Sequence, residues 1–416
     1  MLDRITKSLL ISLLLYTATP FANTEELTVR VSDDNEVLVE RFSASGKYLI
    51  IWLVPEYGFR ESHRSLAKSL AEHNIEIWLS DIIDSLFLPR GSMAIKNLSG
   101  KYIADIMEYA HKITGKKVIV MGDAYGSLAA LKGAHQWQHR KHKSSYFIGA
   151  ILFSPYTFAS IPALGKLPEY MPVISSTNIP IMIYQAKNSG IISQFNSLIE
   201  KLQQHNNPVY TRFIPDVMSL FYKLDPTKSV IEQTKRLPIN IKKMIGLLES
   251  HGLPLNPIPL KSKVIFNSGI DVSLKPFNIQ KSPISLNLED VHGKSYIKNH
   301  YENQVTIINF WATWCPPCVE EIPSLNRLQS KMKDLPFELL SVNYAEKKSD
   351  ILKFMQEVNI EFPVLLDQDG QYAKQWNVIS YPSTFIIGPK GKIEYGANAA
   401  IEWDSPEVID KIKSLF

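Results

Sequence analysis

The chain has 416 residues, of which 45% are hydrophobic and 21% charged, and its formal net charge is +4. The length predicts two or three domains, and the composition is typical of a soluble globular protein rather than a disordered chain. So small a charge, with no concentrated basic stripe, gives no support for nucleic-acid binding. The chain has only two cysteines, Cys315 and Cys318, so a disulfide framework between distant segments is excluded.

Residues 1–22 have the pattern of a secretory signal peptide. Arg4 and Lys7 precede an apolar run at residues 9–16, and Ala22 is a small residue at the predicted cleavage point. The apolar run is far shorter than the ~20 residues that span a bilayer. We therefore expect an exported, periplasmic protein, with an uncleaved membrane anchor as the alternative.

Residues 23–250 alternate short apolar runs with segments of helical periodicity. Strands are predicted at 48–54, 76–79, 117–121, 147–153 and 179–184, and helices at 62–73 and 103–113. This alternation favours an α/β domain with a mainly parallel sheet covered on both faces. Residues 251–275 contain several prolines and predict an extended, semi-rigid linker, after which residues 276–416 form a second domain.

Residues 118–126 of the first domain read VIVMGDAYG, in which two glycines flank Ala124 at a predicted strand–turn–helix junction. This segment resembles the nucleophile elbow of the α/β-hydrolase fold, where a serine would stand at Ala124. A methyl group cannot attack a carbonyl. Residues 185–190, where the acid of a triad is expected, contain no carboxylate, and residues 215–222, where the histidine is expected, contain no histidine. The resemblance implies a catalytically degenerate α/β-hydrolase-like domain. A fold kept without its catalysis suggests the hypothesis that this domain binds a partner, which it presents to the redox domain, or dimerises. A surviving hydrolase that uses Ser127 is the alternative.

His135 and His139 lie four residues apart in a predicted helix, a spacing that can supply half of a metal site. Neither a carboxylate nor a third well-placed ligand accompanies them. We therefore predict no metal site, and expect a basic helix end that faces water.

Cys315 and Cys318 follow a strand-like run at 305–311 and enclose Pro316 and Pro317. A helix is predicted to begin there, because proline fits the first helical turn. The helix N-terminus favours the thiolate of Cys315, which makes it the attacking sulfur, and the more buried Cys318 would resolve a mixed disulfide. Half of a zinc site is the alternative, but no second pair of ligands is present.

Residues 309–325, NFWATWCPPCVEEIPSL, resemble the signature of the TlpA/ResA-like exported thiol–disulfide oxidoreductases of the thioredoxin superfamily. The YPSTF sequence at 381–385 agrees with the family as well, and the resemblance covers residues 276–416. It implies a thioredoxin-like fold with no cofactor and no metal. It also implies a cis peptide bond before Pro382, facing the cysteines, and a substrate segment that pairs with the backbone of Tyr381.

Glu321 lies three residues after Cys318, on the same face of the predicted helix. A partly buried carboxylate there could carry a proton to or from the inner sulfur, a role that the resemblance also implies. The alternative is a solvated glutamate. Asn309 stands where thioredoxins have a buried aspartate, which gives Glu321 more weight. Trp314 would either shield the sulfurs or only pack.

The resemblance implies a disulfide reductase for exported protein thiols, with cytochrome c maturation as one familiar setting. It also implies a membrane thiol-transfer protein as the electron donor. Residue identities do not fix a reduction potential, so an oxidase or isomerase is an alternative. A non-enzymatic periplasmic binding protein with an incidental cysteine pair is another. The sequence makes no prediction of oligomeric state.

Overall fold

The structure, a computed structural model, describes most of the chain. It covers residues 24–140, 145–160, 164, 168–187, 189–215, 217, 228–253, 256–260, 273–277, 282–298 and 301–416. The predicted signal peptide lies outside these residues, as do many residues of the predicted linker. Within the described ranges, no helix has the length and apolar character needed to cross a membrane.

The N-terminal region alternates strands with helices, as its sequence pattern predicts. Its elements are β1 (Thr24–Arg30), β2 (Glu36–Phe42), β3 (Tyr48–Leu53), α1 (Glu61–Glu72), β4 (Ile75–Ser80), α2 (Ile82–Ser85), α3 (Ser92–Asn97), α4 (Gly100–Thr114), β5 (Lys117–Asp123), α5 (Gly126–His139), β6 (Phe147–Phe153), α6 (Pro172–Ser175), β7 (Ile181–Ala186), α7 (Phe195–Leu202), β8 (Val209–Ile214) and α8 (Lys228–His251). A 3₁₀ turn at Ile192–Gln194 precedes α7.

These strands form one sheet in the order β1-β2-β4-β3-β5-β6-β7-β8. The pairs from β4 to β8 are parallel, whereas β1 and β2 are antiparallel. The central strands β3 and β5 are buried almost throughout, which explains why they read as continuous apolar runs. Leu53 pairs with Gly122 at the carboxyl ends of these strands, so the turns that follow them are neighbours.

The C-terminal region forms a second α/β unit. Its elements are β9 (Lys275–Pro276), β10 (Leu286–Glu289), β11 (Ser295–Lys298), β12 (Val305–Trp311), α9 (Pro316–Met332), β13 (Phe337–Tyr344), α10 (Lys348–Phe354), β14 (Val364–Asp367), α11 (Gln371–Gln375), β15 (Ser383–Ile387), β16 (Ile393–Ala397) and α12 (Pro406–Lys413). The main sheet has the order β14-β13-β12-β15-β16-β9, and β10 pairs with β11 separately. Strand β12 is parallel to β13 and antiparallel to β15, in a thioredoxin-like arrangement.

The described residues 256–260 of the predicted linker contact the N-terminal region. The Asn178 side chain donates to the Asn256 carbonyl at 2.9 Å, and the Ser176 hydroxyl donates to the Pro259 carbonyl at 3.0 Å. A ring nitrogen of His135 lies 2.8 Å from the Ile258 carbonyl oxygen. Residues 256–260 are therefore docked on the N-terminal region.

Candidate active site

The turn between β12 and α9 places Cys315 at the cap position of the helix. Its Sγ accepts a hydrogen bond from the backbone N–H of Cys318 at 3.3 Å, and Pro316 and Pro317 form the first turn. The two cysteines are joined by a disulfide, and their exposed fractions are 5% for Cys315 and 1% for Cys318. The sulfur of Cys315 thus lies where helix N–H groups and the helix dipole stabilise a thiolate.

A buried carboxylate fixes the turn that precedes Cys315. Glu346 accepts hydrogen bonds from the backbone N–H of Thr313 at 2.7 Å and from its hydroxyl at 2.6 Å. The Asn343 amide donates to the same carboxylate at 2.9 Å. Sequence analysis missed Glu346, because 33 residues separate it from Thr313 and no local pattern connects the two.

Glu321 lies on α9, the helix of the cysteine pair, and is buried rather than solvated. Its carboxylate accepts hydrogen bonds from the Asn309 amide and from the indole N–H of Trp403, each at 2.8 Å. Burial raises the pKa of Glu321 to about 7, and the two donors oppose that rise. The partner Asn309 also donates to the Thr384 hydroxyl at 2.9 Å. The structure thus provides a carboxyl group that titrates near neutrality on the helix of Cys315 and Cys318.

Pro382 and its neighbours complete this end of the sheet. The Tyr381–Pro382 peptide bond is cis, and Phe310 pairs with Ser383 across β12 and β15. Pro382 therefore lies at the end of the sheet where β12 runs into the cysteine turn. The rings of Trp314 and Tyr381 meet edge to face with centroids 5.8 Å apart, and Trp314 remains 46% exposed. All six residues singled out from the sequence lie at this end of the sheet or on α9.

The turn between β5 and α5, where the sequence resembles a nucleophile elbow, places Ala124 between the strand and the helix. Ala124 has a φ of 46°, a left-handed conformation that is strained for a residue with a side chain. Its N–H donates to the Phe153 carbonyl at 3.0 Å, and its carbonyl accepts from the N–H of Tyr156 at 3.1 Å. Ser127 is fully buried and donates its hydroxyl to the Gly122 carbonyl at 2.9 Å, so it is not placed to attack a substrate.

Glu56, which sequence analysis missed, follows β3 and faces this elbow. Burial raises the pKa of Glu56 to about 7, whereas the nearby backbone N–H groups of Glu56 itself and of Tyr125 lower it. Asp123 opposes its ionisation and Lys96 favours it. Among the described residues, the Glu56 Oε2 has no hydrogen-bond partner.

A second buried pair, also missed, lies beneath the elbow. His63 Nε2 is 3.3 Å from an oxygen of Asp123, and the indole N–H of Trp52 donates to the other oxygen at 3.1 Å. The Nδ1 of His63 accepts from the backbone N–H of Arg60 at 2.9 Å. Both histidine nitrogens thus have partners inside the fold. Histidine at the start of an amphipathic helix gave no signal of this pairing in the sequence.

The prediction that the end of α5 faces water is wrong for His135. This side chain is 8% exposed, because the docked residues 256–260 cover it, and burial lowers its pKa. His139 lies 3.2 Å away, nitrogen to nitrogen. Over the described ranges, no group of three or more His, Cys, Asp or Glu side chains is arranged to hold a metal ion.

Residues 279–396 match the AhpC/TSA family. The thiol-disulfide oxidoreductase ResA of Bacillus subtilis is 36% identical over 106 residues, which are 26% of this chain and 59% of that protein. The thioredoxin-like protein YneN of the same organism is 36% identical over 127 residues, or 30% of this chain and 65% of that protein. The crystal structure of StoA from Bacillus subtilis is 24% identical and has a TM-score of 0.28, covering 32% of this chain and 97% of that one.

The chain spans about three fifths of the length of the curated relatives it matches. It is similar in sequence to ResA-like thiol–disulfide oxidoreductases, as residues 309–325 predicted. The family match ends before the last strand is complete and leaves the N-terminal region unassigned.

Proposed function

We propose that this protein is an exported thiol–disulfide oxidoreductase that reduces disulfides of exported proteins. The observation that carries the proposal is the position of Cys315, which caps α9 and receives the N–H of Cys318 on its sulfur. Such a position lowers the pKa of a thiol and so raises the fraction present as thiolate near neutral pH. Similarity to thiol-disulfide oxidoreductases supports the same class of reaction.

In the proposed reaction, the Cys315 thiolate attacks one sulfur of a substrate disulfide and displaces the other as a thiolate. The resulting mixed disulfide is attacked by Cys318, which releases the second substrate sulfur and leaves the Cys315–Cys318 disulfide. Two electrons pass from the protein to the substrate. A membrane thiol-transfer protein would return them by the same exchange chemistry, so no soluble cofactor is needed.

Glu321 is the proposed proton acceptor for Cys318. Attack by Cys318 requires loss of its proton, and a carboxyl group with a pKa of about 7 can take up and return a proton at neutral pH. Asn309 and Trp403 each donate to the carboxylate and hold it in place. Trp314, Tyr381 and Pro382 are the proposed contacts for the substrate segment.

We further propose that the N-terminal region is a catalytically silent α/β-hydrolase-like module that binds a partner or dimerises. The sheet order, with β3 and β5 at its centre, and the strained turn at Ala124 support this interpretation. The absence of a hydroxyl at Ala124, the buried Ser127 and the carboxylate of Glu56 at the elbow argue against ester hydrolysis.

Capture of a mixed disulfide tests the redox proposal. Cys318→Ala should trap substrate proteins on Cys315 in the exported compartment, because the resolving thiol is gone. The matched control is Cys315→Ala, which should trap none. If neither variant yields a disulfide-linked complex and the wild-type protein does not reduce insulin, the proposed activity is wrong and a non-enzymatic binding role becomes the better account.

A further inference from the structure

The silent elbow and the redox turn are neighbours, connected by a row of tyrosines. Tyr156 bonds through its backbone N–H to the Ala124 carbonyl, and its ring centroid lies 5.5 Å from that of Tyr125. Burial raises the pKa of Tyr381, and Tyr344 and, to a smaller extent, Tyr156 add to that rise. Tyr381 stacks on Tyr344 at 4.8 Å. The former hydrolase-like face is therefore turned toward the loop that carries Pro382.

Two further contacts seat the N-terminal region on the redox domain. Gly190 lies against the ring of Tyr381 so closely that a Cβ at this position would be 3.0 Å from Cε2. Leu164 packs into the core of the C-terminal region, and a Cβ on Gly396 of β16 would be 2.4 Å from its Cδ1. At both contacts a side chain on the glycine would crowd the facing residue, so the two regions approach closely there.

The path to the sulfur runs past these contacts. Trp314, the residue before Cys315, touches Tyr381, and Tyr381 touches the loop at Gly190. Cys315 is only 5% exposed, so a substrate disulfide must approach beside Trp314 and Tyr381. A polypeptide substrate that approaches on this side also contacts the N-terminal region. A small disulfide is too short to make that contact.

We infer that the N-terminal region forms one wall of the substrate site at Cys315, with Gly190 and Tyr156 as specificity-determining positions. The surfaces that meet here are aromatic: Trp314, Tyr381 and Tyr156. The preferred substrate is therefore a polypeptide disulfide with apolar side chains beside the reacting cysteine. This inference rests on the proposed redox function and names the substrate class that its site selects.

Matched peptide disulfides test the inference in the full-length protein. One peptide carries leucine on both sides of its cysteine, the other carries aspartate, and a nitrobenzoate disulfide reports the chemistry alone. We expect the wild-type protein to favour the leucine peptide about tenfold in kcat/KM, mainly through KM, as an apolar contact of modest size allows. Gly190→Leu and Leu164→Ala should each reduce that preference at least threefold, and Leu164→Ala should change the rate with the small disulfide less than twofold.

Two variants are used because Gly190→Leu adds bulk against Tyr381, whereas Leu164→Ala loosens the domain contact without touching that ring. Gly246→Leu is the control, since a Cβ on exposed Gly246 meets nothing within 4 Å. The inference is overturned if the wild-type protein shows no preference while reacting with both peptides, or if both folded variants keep the full preference. Failure of the redox proposal itself looks different, because then none of the three disulfides reacts.

Discussion

The chain contains two turns built alike, one at Cys315 and one at Ala124. Each follows a buried strand of a parallel pair and leads directly into a helix, so each presents its residue where backbone N–H groups converge. At the first turn that residue is a thiol and the N–H of Cys318 reaches its sulfur. At the second it is a methyl group, and the buried carboxyl group of Glu56 lies nearby.

In both turns the backbone N–H groups provide the electrostatic site, and the side chain determines whether that site is used in catalysis. Both turns would stabilise a negative charge. Only Cys315 offers a group that becomes a nucleophile when it gains that charge. Ala124 offers no such group, and the carboxyl group near its turn, that of Glu56, has a pKa raised by burial.

Removal of the Cys315 thiol should have the largest effect on activity. Cys315→Ser should lower the rate of insulin reduction on the order of a thousandfold or more, because a serine hydroxyl does not ionise appreciably near neutral pH. Initial rates of insulin reduction, with excess dithiol as the reductant, measure this decrease. Retention of a tenth of the rate or more would mean that Cys318 or another group attacks the substrate.

Loss of the carboxylate behind the redox turn should cost stability. Glu346→Ala leaves two donors of Thr313 and the amide of Asn343 without a partner, so unfolding should become easier by roughly 2–4 kcal/mol. Urea denaturation followed by fluorescence measures the change. Exposed Glu361 accepts a hydrogen bond from the Asn359 amide, and Glu361→Ala should change stability by less than about 0.5 kcal/mol. Equal effects of the two substitutions would argue against a fixed turn.

Glu321 and Glu56 are both buried carboxyl groups with a pKa of about 7. Both should affect stability, but only Glu321 should affect redox chemistry. Each has a folded-state pKa above its ordinary value of 4.5, so the folded state binds the proton more tightly and loses stability as pH rises from about 4.5 through 7. Glu321→Gln and Glu56→Gln should each remove part of this loss, which is at most a few kcal/mol at pH 8. Thermal melting at pH 5 and pH 8 measures it.

Only the substitution on α9 should also change catalysis. We expect Glu321→Gln to slow resolution of the mixed disulfide on the order of tenfold to a hundredfold and to remove the step near pH 7 from the pH–rate profile. Glu56→Gln should leave that profile as in the wild type. Stopped-flow rates from pH 5 to pH 9 decide between the two carboxyls, and an unchanged profile for Glu321→Gln would remove Glu321 from the mechanism.

The smallest expected effect comes from restoring the missing hydroxyl. Ala124→Ser should give no ester hydrolysis above background with nitrophenyl acetate, since residues 215–222 lack the histidine that a catalytic triad needs. Insulin reduction should stay as in the wild type. Measurable turnover by the Ala124→Ser variant, absent from the wild type, would show that the elbow keeps more of its machinery than its contacts indicate.

Sequence patterns predicted much of this architecture because local physics dominates there. The buried runs before Cys315 and Ala124 and the prolines after Cys315 each prescribe a strand, a turn or a helix start without help from the rest of the chain. The positions of Cys315, Cys318 and Pro382 followed from their spacing and from a family resemblance. Glu321 was identified, but its burial depends on Trp403, which only the fold brings close.

What the sequence could not predict depends on contacts between distant segments. Glu346 reaches Thr313 across a strand and a loop, and His135 is buried by residues more than a hundred positions later. Glu56 has an ordinary sequence context, and its role at the elbow arises because β3 and β5 are adjacent. The meeting of Gly190 with Tyr381 requires both domains to be folded.

The ionisation of Cys315 is the most direct test of the central claim. In reduced Cys318→Ala protein, Cys315 is the only thiol, and its rate of alkylation by iodoacetamide can be followed from pH 4 to pH 10. A thiolate held at the start of α9 should give a titration midpoint well below the value of about 8.5 for an unperturbed cysteine. A midpoint at or above that value, together with no exchange with any disulfide, would contradict the account.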